Sequence, residues 1–206
     1  FGTIGELFED YTRQLAQAMY WHRVSVVTWP SLSMIAENKT EEKSDEVKGK
    51  SSSSSKVSTQ SSKKEFSYEW LAPFFDDSKD KTQTLALIRT ACPIEPIRYN
   101  TWAFIHDSLL EFYTAEHLFN GVLLESWVMA GQNLNDRNLQ TTPEVLLFLA
   151  DRVRQDKQFK ALLFKVIEFS KTDTNGWKAA ANAITILNYA RISLSGRDLS
   201  RIRIGG

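Results

Sequence analysis

The hydrophobic pattern of this chain changes period abruptly at one place, and that change limits the folds open to it. Thr101-Trp102-Ala103-Phe104-Ile105, preceded by Tyr99-Asn100, is a run of aromatic and β-branched residues suited to a strand. Directly after it, Leu109, Leu110, Phe112, Tyr113, Ala115, Leu118 and Phe119 recur at helical spacing as a broad apolar stripe. Between the two lies His106-Asp107-Ser108. Asp107 or Ser108 can cap the helix, and Ser108 to Glu111 has the S-x-x-E spacing of a capping box. A strand that runs straight into a helix places His106 at a helix N-terminus, where unpaired N–H groups and the helix dipole favour an anion. On the residues alone His106 is either a phosphate ligand or a histidine that caps or packs the junction.

The other helices are expected from the same periodicity. Ile4, Leu7, Phe8, Tyr11, Leu15, Ala18 and Met19 predict an amphipathic helix over 3–23, and Trp21 to Trp29 adds apolar length before Pro30. Phe66, Tyr68, Trp70, Leu71, Phe74 and Phe75 predict a short helix, and Leu85, Leu87 and Ile88 a second one over 82–91. Cys92-Pro93-Ile94-Glu95-Pro96-Ile97 reads as a proline-punctuated turn into the strand. Val122 to Met129 is apolar. Thr142-Pro143 offers an N-cap with proline at the first helical position, ahead of a helix over Val145 to Val153. Phe159, Leu162, Leu163, Val166, Ile167 and Ser170 form another stripe, and Asn175 is placed to cap a helix from Trp177 to Leu187.

Residues 36–65 are different in kind. They hold nine Ser, seven Lys and six acidic residues, with Ala36, Val47 and Val57 as the apolar members. Such a segment buries too little surface to offset its ordering entropy, so a disordered insertion is expected. At the far end, Tyr189, Leu194, Leu199 and Ile204 recur every five residues, with Leu187, Ile192, Arg197 and Ile202 two places earlier in each unit.

Several of these stretches resemble known families. Phe104-Ile105-His106-Asp107-Ser108-Leu109-Leu110-Glu111-Phe112-Tyr113-Thr114-Ala115 resembles the "F-[IV]-H-x-S-[FL]-x-E-[YF]-[FL]-A-A" signature of NACHT-type signalling NTPases, the STAND class. There the signature lies in the winged-helix part of the nucleotide-binding module, and its histidine reaches the β-phosphate of bound ADP in the resting state. The resemblance implies that role for His106. Gly5 to Tyr11 is similar to the "L-[YF]-[ED]-x-F" helix of the same proteins. The five-residue period resembles the pentapeptide repeat, with Arg197 standing where a small residue is usual, and Ala180 to Asn188 resembles the segment that joins a NACHT helical region to pentapeptide or WD40 repeats.

Other chemistry lacks its signature here. No G-x-x-x-x-G-K-[ST] phosphate loop, acidic Walker B strand or G-x-S-x-G elbow is present, so the chain is expected not to be an enzyme. His106 and His117 would lie about 16 Å apart by helical rise, too far for one metal ion, and Cys92 has no CxxC partner. Residues 106–119 carry Asp107, Glu111 and Glu116 and no Lys or Arg, against a DNA-reading helix. Charges balance at 25 basic and 25 acidic residues, which gives no electrostatic case for nucleic acid or anionic membrane. The single cysteine fits a reducing compartment.

The expected architecture is therefore mainly α. It comprises a winged-helix-like unit over 1–121 with the insertion at 36–65, a helical-repeat bundle over 122–186, and the start of a pentapeptide-repeat β-helix over 187–206. The resemblance implies a non-catalytic, cytoplasmic fragment of an ATP/ADP-switched signalling protein. Its ADP or ATP would be bound mostly upstream, with an NTPase module as partner in cis and protein partners through the repeats. A protein-interaction scaffold with no nucleotide role is the alternative.

Overall fold

A computed structural model of the chain describes residues 4–28, 90–123 and 134–202. The expected insertion at 36–65, the helix expected around 66–75, most of the helix expected over 82–91 (residues 90 and 91 are helical) and most of the apolar run after Val122 lie outside them. The described residues are mainly helical, with one small sheet. They divide into two units, the first Phe1–Tyr11 with Ala18–Ile105, the second Thr12–Gln17 with His106–Gly206.

The first unit holds the two ends of helix α1 (Ile4–His22) and strands β1 (Val27–Thr28), β2 (Ile94–Arg98) and β3 (Thr101–Phe104). The stripe expected over 3–23 is real at its inner positions, since Tyr11, Leu15 and Met19 are fully buried. Helix α1 stops where Arg23 enters the left-handed region at φ 55°, with Val24 N–H bonded to the Met19 carbonyl at 3.0 Å. The apolar run after Trp21 therefore does not lengthen the helix, and Val27 turns inward on a strand instead.

The sheet is antiparallel in the order β1-β3-β2. Ile94 faces Phe104 and Val27 faces Trp102, so both outer strands place an apolar residue against β3. The turn expected over Cys92 to Ile97 from Pro93 and Pro96 is instead largely the strand Ile94–Arg98. It is a strand because a proline needs only a position where no ladder donor is required, and the register slips between Pro96 and Arg98. Tyr99-Asn100 closes the hairpin, with Asn100 at φ 56°, a conformation asparagine tolerates better than most residues. Tyr99 at the tip is 99% exposed.

The second unit contains the middle of α1 and helices α2 (Asp107–Leu123), α3 (Pro143–Gln155), α4 (Lys157–Phe169) and α5 (Trp177–Tyr189). Helix α2 packs on α3 and α4, and α5 on α3 and α4. The stripe read from the sequence is the core: Phe159, Leu162, Leu163, Val166, Ile167 and Ser170 are all buried, as are Val145, Leu146, Leu149, Ala150 and Val153 on α3. Phe119 of α2 meets Phe159 edge to face at 4.9 Å, and Phe112 meets Phe148 at 5.5 Å. Arg152 ties α3 to α2 by donating from Nε to Glu116 Oε1 at 2.8 Å, with its guanidinium 5.1 Å from the Phe119 ring centre.

Each helix start has a particular cause. Pro143 sits at the first helical position of α3 as expected, but the Thr142 side chain before it makes no capping bond and donates to the Leu139 carbonyl instead. Asp156 separates α3 from α4 and caps the latter, accepting from the N–H groups of Gln158 (2.7 Å) and Phe159 (3.0 Å). Asn175 does not cap α5. Asp173 accepts from the Asn175 N–H at 2.7 Å in a short 3₁₀ turn, Gly176 is the N-cap residue, and the donor at Ala179 is met by Asn135 Oδ1 at 3.0 Å. Asn135 also donates to the Asn175 carbonyl at 2.7 Å.

Among the described residues, Asn182 is the one Asn, Gln or charged side chain buried in this helical layer. At 2% exposure on α5, it accepts from Leu139 N–H at 2.9 Å and donates to the carbonyls of Leu134 (2.6 Å) and Arg137. The loop ahead of α3 is thus tied to α5 through its own backbone groups.

The expected first coil over 187–206 is corrected at its start. Leu187 and Tyr189 belong to α5, which ends with Arg191 at φ 58° and the bonds Ile192 N–H to Leu187 carbonyl and Arg191 N–H to Asn188 carbonyl, both 2.9 Å. A leucine two places before a tyrosine satisfies a helix as readily as a five-residue coil, and here the alanine-rich helix takes both. Described residues 190–202 then form turns and no strand.

Candidate functional site

His106 is the first residue of the longer segment of the second unit. Ile105 N–H, just before it, donates to the Pro93 carbonyl at 3.1 Å within the first unit. The expected cap at Asp107 or Ser108, and the capping box from Ser108 to Glu111, are corrected. Helix α2 already includes Asp107, and the residue that caps it is His106. Ser108 N–H donates to His106 Nδ1 at 3.1 Å, and Leu109 N–H donates to the His106 carbonyl at 3.0 Å. An imidazole nitrogen two residues before the donor occupies the place of a serine or aspartate oxygen. The Ser108 hydroxyl lies 2.7 Å from the same Nδ1.

The bond from the Ser108 N–H favours one tautomer. A nitrogen that accepts from a backbone N–H carries no proton of its own, so in the neutral ring the proton is on Nε2. His106 is exposed. In that tautomer it presents one N–H donor at the edge of a helix N-terminus.

Carboxylates surround that end of α2. Asp107 is in the first turn, where the dipole favours it, and Glu111 is one turn further on and half-buried. The Glu111 carboxyl is raised from its ordinary 4.5, first by burial, then by the charges of Glu144 and Asp107, with His106 acting the other way. Glu144, at the start of α3, is 33 residues away in sequence, and no local pattern announces that it faces Glu111. Among the described residues no group of three or more His, Cys, Asp or Glu side chains could hold a metal ion. His106 and His117 are not brought together as ligands.

The Glu111 shift gives a pH-dependent expectation. Its folded pKa lies above its unfolded one, so the stability tied to its protonation is complete below the unfolded value and is lost as pH rises through the folded value. Glu111→Gln, which resembles the protonated form, should melt higher than the parent at pH 7. The advantage should disappear below about pH 4, where both side chains are neutral. Thermal melts of the two proteins between pH 3 and pH 8 check this, and a constant difference across that range would be the contrary result.

Comparison with protein-family models, with curated proteins and with solved structures gives no significant match. No helix among the described residues is long and apolar enough to cross a membrane.

Proposed function

We propose that this chain is a regulatory, non-catalytic part of a NACHT-type signalling protein switched by ADP and ATP, with His106 as its phosphate sensor. The observation that carries the reading is the Ser108 N–H bond to His106 Nδ1, which leaves Nε2–H as a donor beside the positive end of α2. The resemblance around Phe104 to Ala115 asks for a donor at that position. A three-stranded antiparallel sheet whose last strand lies between the other two, following a helix, supports a winged-helix-like first unit. In this reading ADP holds the module closed through His106, and exchange for ATP frees the helical layer, a ligand-biased switch between two states. The cytoplasmic setting, an NTPase module in cis and protein partners at C-terminal repeats belong to the same proposal.

Two measurements test it. Histidine ¹⁵N spectra of the chain should show the proton of neutral His106 on Nε2, and a proton on Nδ1 would remove the donor. In the longer protein, His106→Ala should weaken ADP binding and raise basal signalling. Unchanged ADP affinity together with unchanged basal activity would overturn the sensor role.

The same cap also favours the second reading, an interaction scaffold in which His106 only starts α2. There His106→Asp, which keeps a capping acceptor, should match the parent in every assay. A phosphate sensor does not survive that exchange of a donor for an anion.

A further inference from the structure

After Arg191 the chain reaches α4 at two points. The Arg197 guanidinium lies over the ring of Phe164, 3.6 Å from its centre. Lys171, just past the end of α4, donates from Nζ to the Asp198 carbonyl at 2.7 Å and lies 3.6 Å from its carboxylate. Ile192 and Leu194 are half-buried, whereas Ser193 and every residue from Ser195 to Asp198 are exposed. Within the segment Arg197 N–H donates to the Leu194 carbonyl (3.3 Å), and just past it Ser200 N–H donates to Asp198 Oδ1 (2.9 Å).

Lys171 has a second partner. Glu168, one turn back on α4, accepts from the same ammonium at 2.8 Å. If the segment lifted off, Lys171 would keep Glu168, and Arg197 and Asp198 are already at the surface. Opening thus leaves no buried charge unpaired, the condition under which a segment can detach without unfolding its support.

We propose that Ile192–Asp198 is a charge-held latch that leaves α4 as a unit while helices α2 to α5 stay folded, uncovering the Phe164 ring. Asp198 keeps its charge to low pH: its carboxyl is held down to about 2, chiefly by hydrogen bonding from Ser200 and then by Lys171. Acid therefore does not work the latch, and ionic strength does, since the Asp198 side chain is largely exposed and its pairing with Lys171 is open to screening from that side.

Hydrogen exchange followed by mass spectrometry on the full chain tests this. Peptides covering 192–198 should exchange at an intermediate rate, and about three- to tenfold faster in Lys171→Met or at high salt, with α3 and α5 unchanged. Glu168→Gln should slow the same peptides, because it removes the competitor for Lys171. A merely structural ion pair predicts no such slowing. The latch is overturned if 192–198 exchanges only together with α3 and α5, if it is fully exchanged at the earliest time in the parent, or if Glu168→Gln leaves it unchanged or faster.

Discussion

Replacing Asn182 with alanine should destabilise the helical layer by about 3–5 kcal/mol, more than any other single polar substitution in it. The side chain satisfies the Leu139 N–H and the Leu134 and Arg137 carbonyls, and it is 2% exposed. Its removal takes this partner from three backbone groups, and a buried group left unsatisfied costs roughly 1–3 kcal/mol, offset in part by water entering the gap. Asn182→Asp should be nearly as harmful, since it keeps the acceptor and loses both donors while burying a charge. Asn135→Ala is the useful contrast. It deletes two bonds at a more open site, and a lost cap costs about 1 kcal/mol. Urea unfolding of the three variants decides the matter. An Asn182→Ala loss no larger than that of Asn135→Ala would mean that the loop finds other partners.

The second large effect is expected at Phe159. It is fully buried near the start of α4, and its ring meets Phe119 edge to face. Phe159→Ala should cost about 3–5 kcal/mol through lost transfer energy and an unfilled cavity, a large share of the stability of an ordinary domain. Phe159→Leu refills part of the volume and should recover about half of it. Phe119→Ala, at a half-buried position, should cost less while also removing the ring beneath Arg152. The double mutant with Phe159→Ala should fall short of the sum of the two losses by about 0.5–1.5 kcal/mol, the part that belongs to the ring pair. Strict additivity would show that the two rings do not act on each other.

Much of this layer was legible because α3 and α4 are plain cases of a 3.6-residue period, the first with a proline start. Asn182 was visible as a residue in a motif, but not its task, since Leu134, Arg137 and Leu139 lie more than forty positions away. The α5 cap was misplaced for the same reason. Asn175 is the local candidate, and the acceptor comes from Asn135 across the fold. At the junction, the helix start was read from residues that usually cap, and a histidine acting through Nδ1 is not among them. The five-residue period at the C-terminal end failed where two periodicities share residues, because Leu187 and Tyr189 fit both. The strand at 94–98 was hidden by its prolines, which argue against a central strand and not against an outer one.

The buried amide of Asn182 also makes a mechanical connection. It grips Leu139 N–H, and the Leu139 carbonyl in turn receives the N–H (3.0 Å) and the hydroxyl (3.1 Å) of Thr142. The Thr142 carbonyl then accepts the first helical bond of α3, from Leu146 N–H at 3.2 Å. A pull on α5 is thereby handed to the leading end of α3 along a hydrogen-bonded line, without having to push through the greasy side chains between them. Whatever load reaches one helix, the other is geared to it.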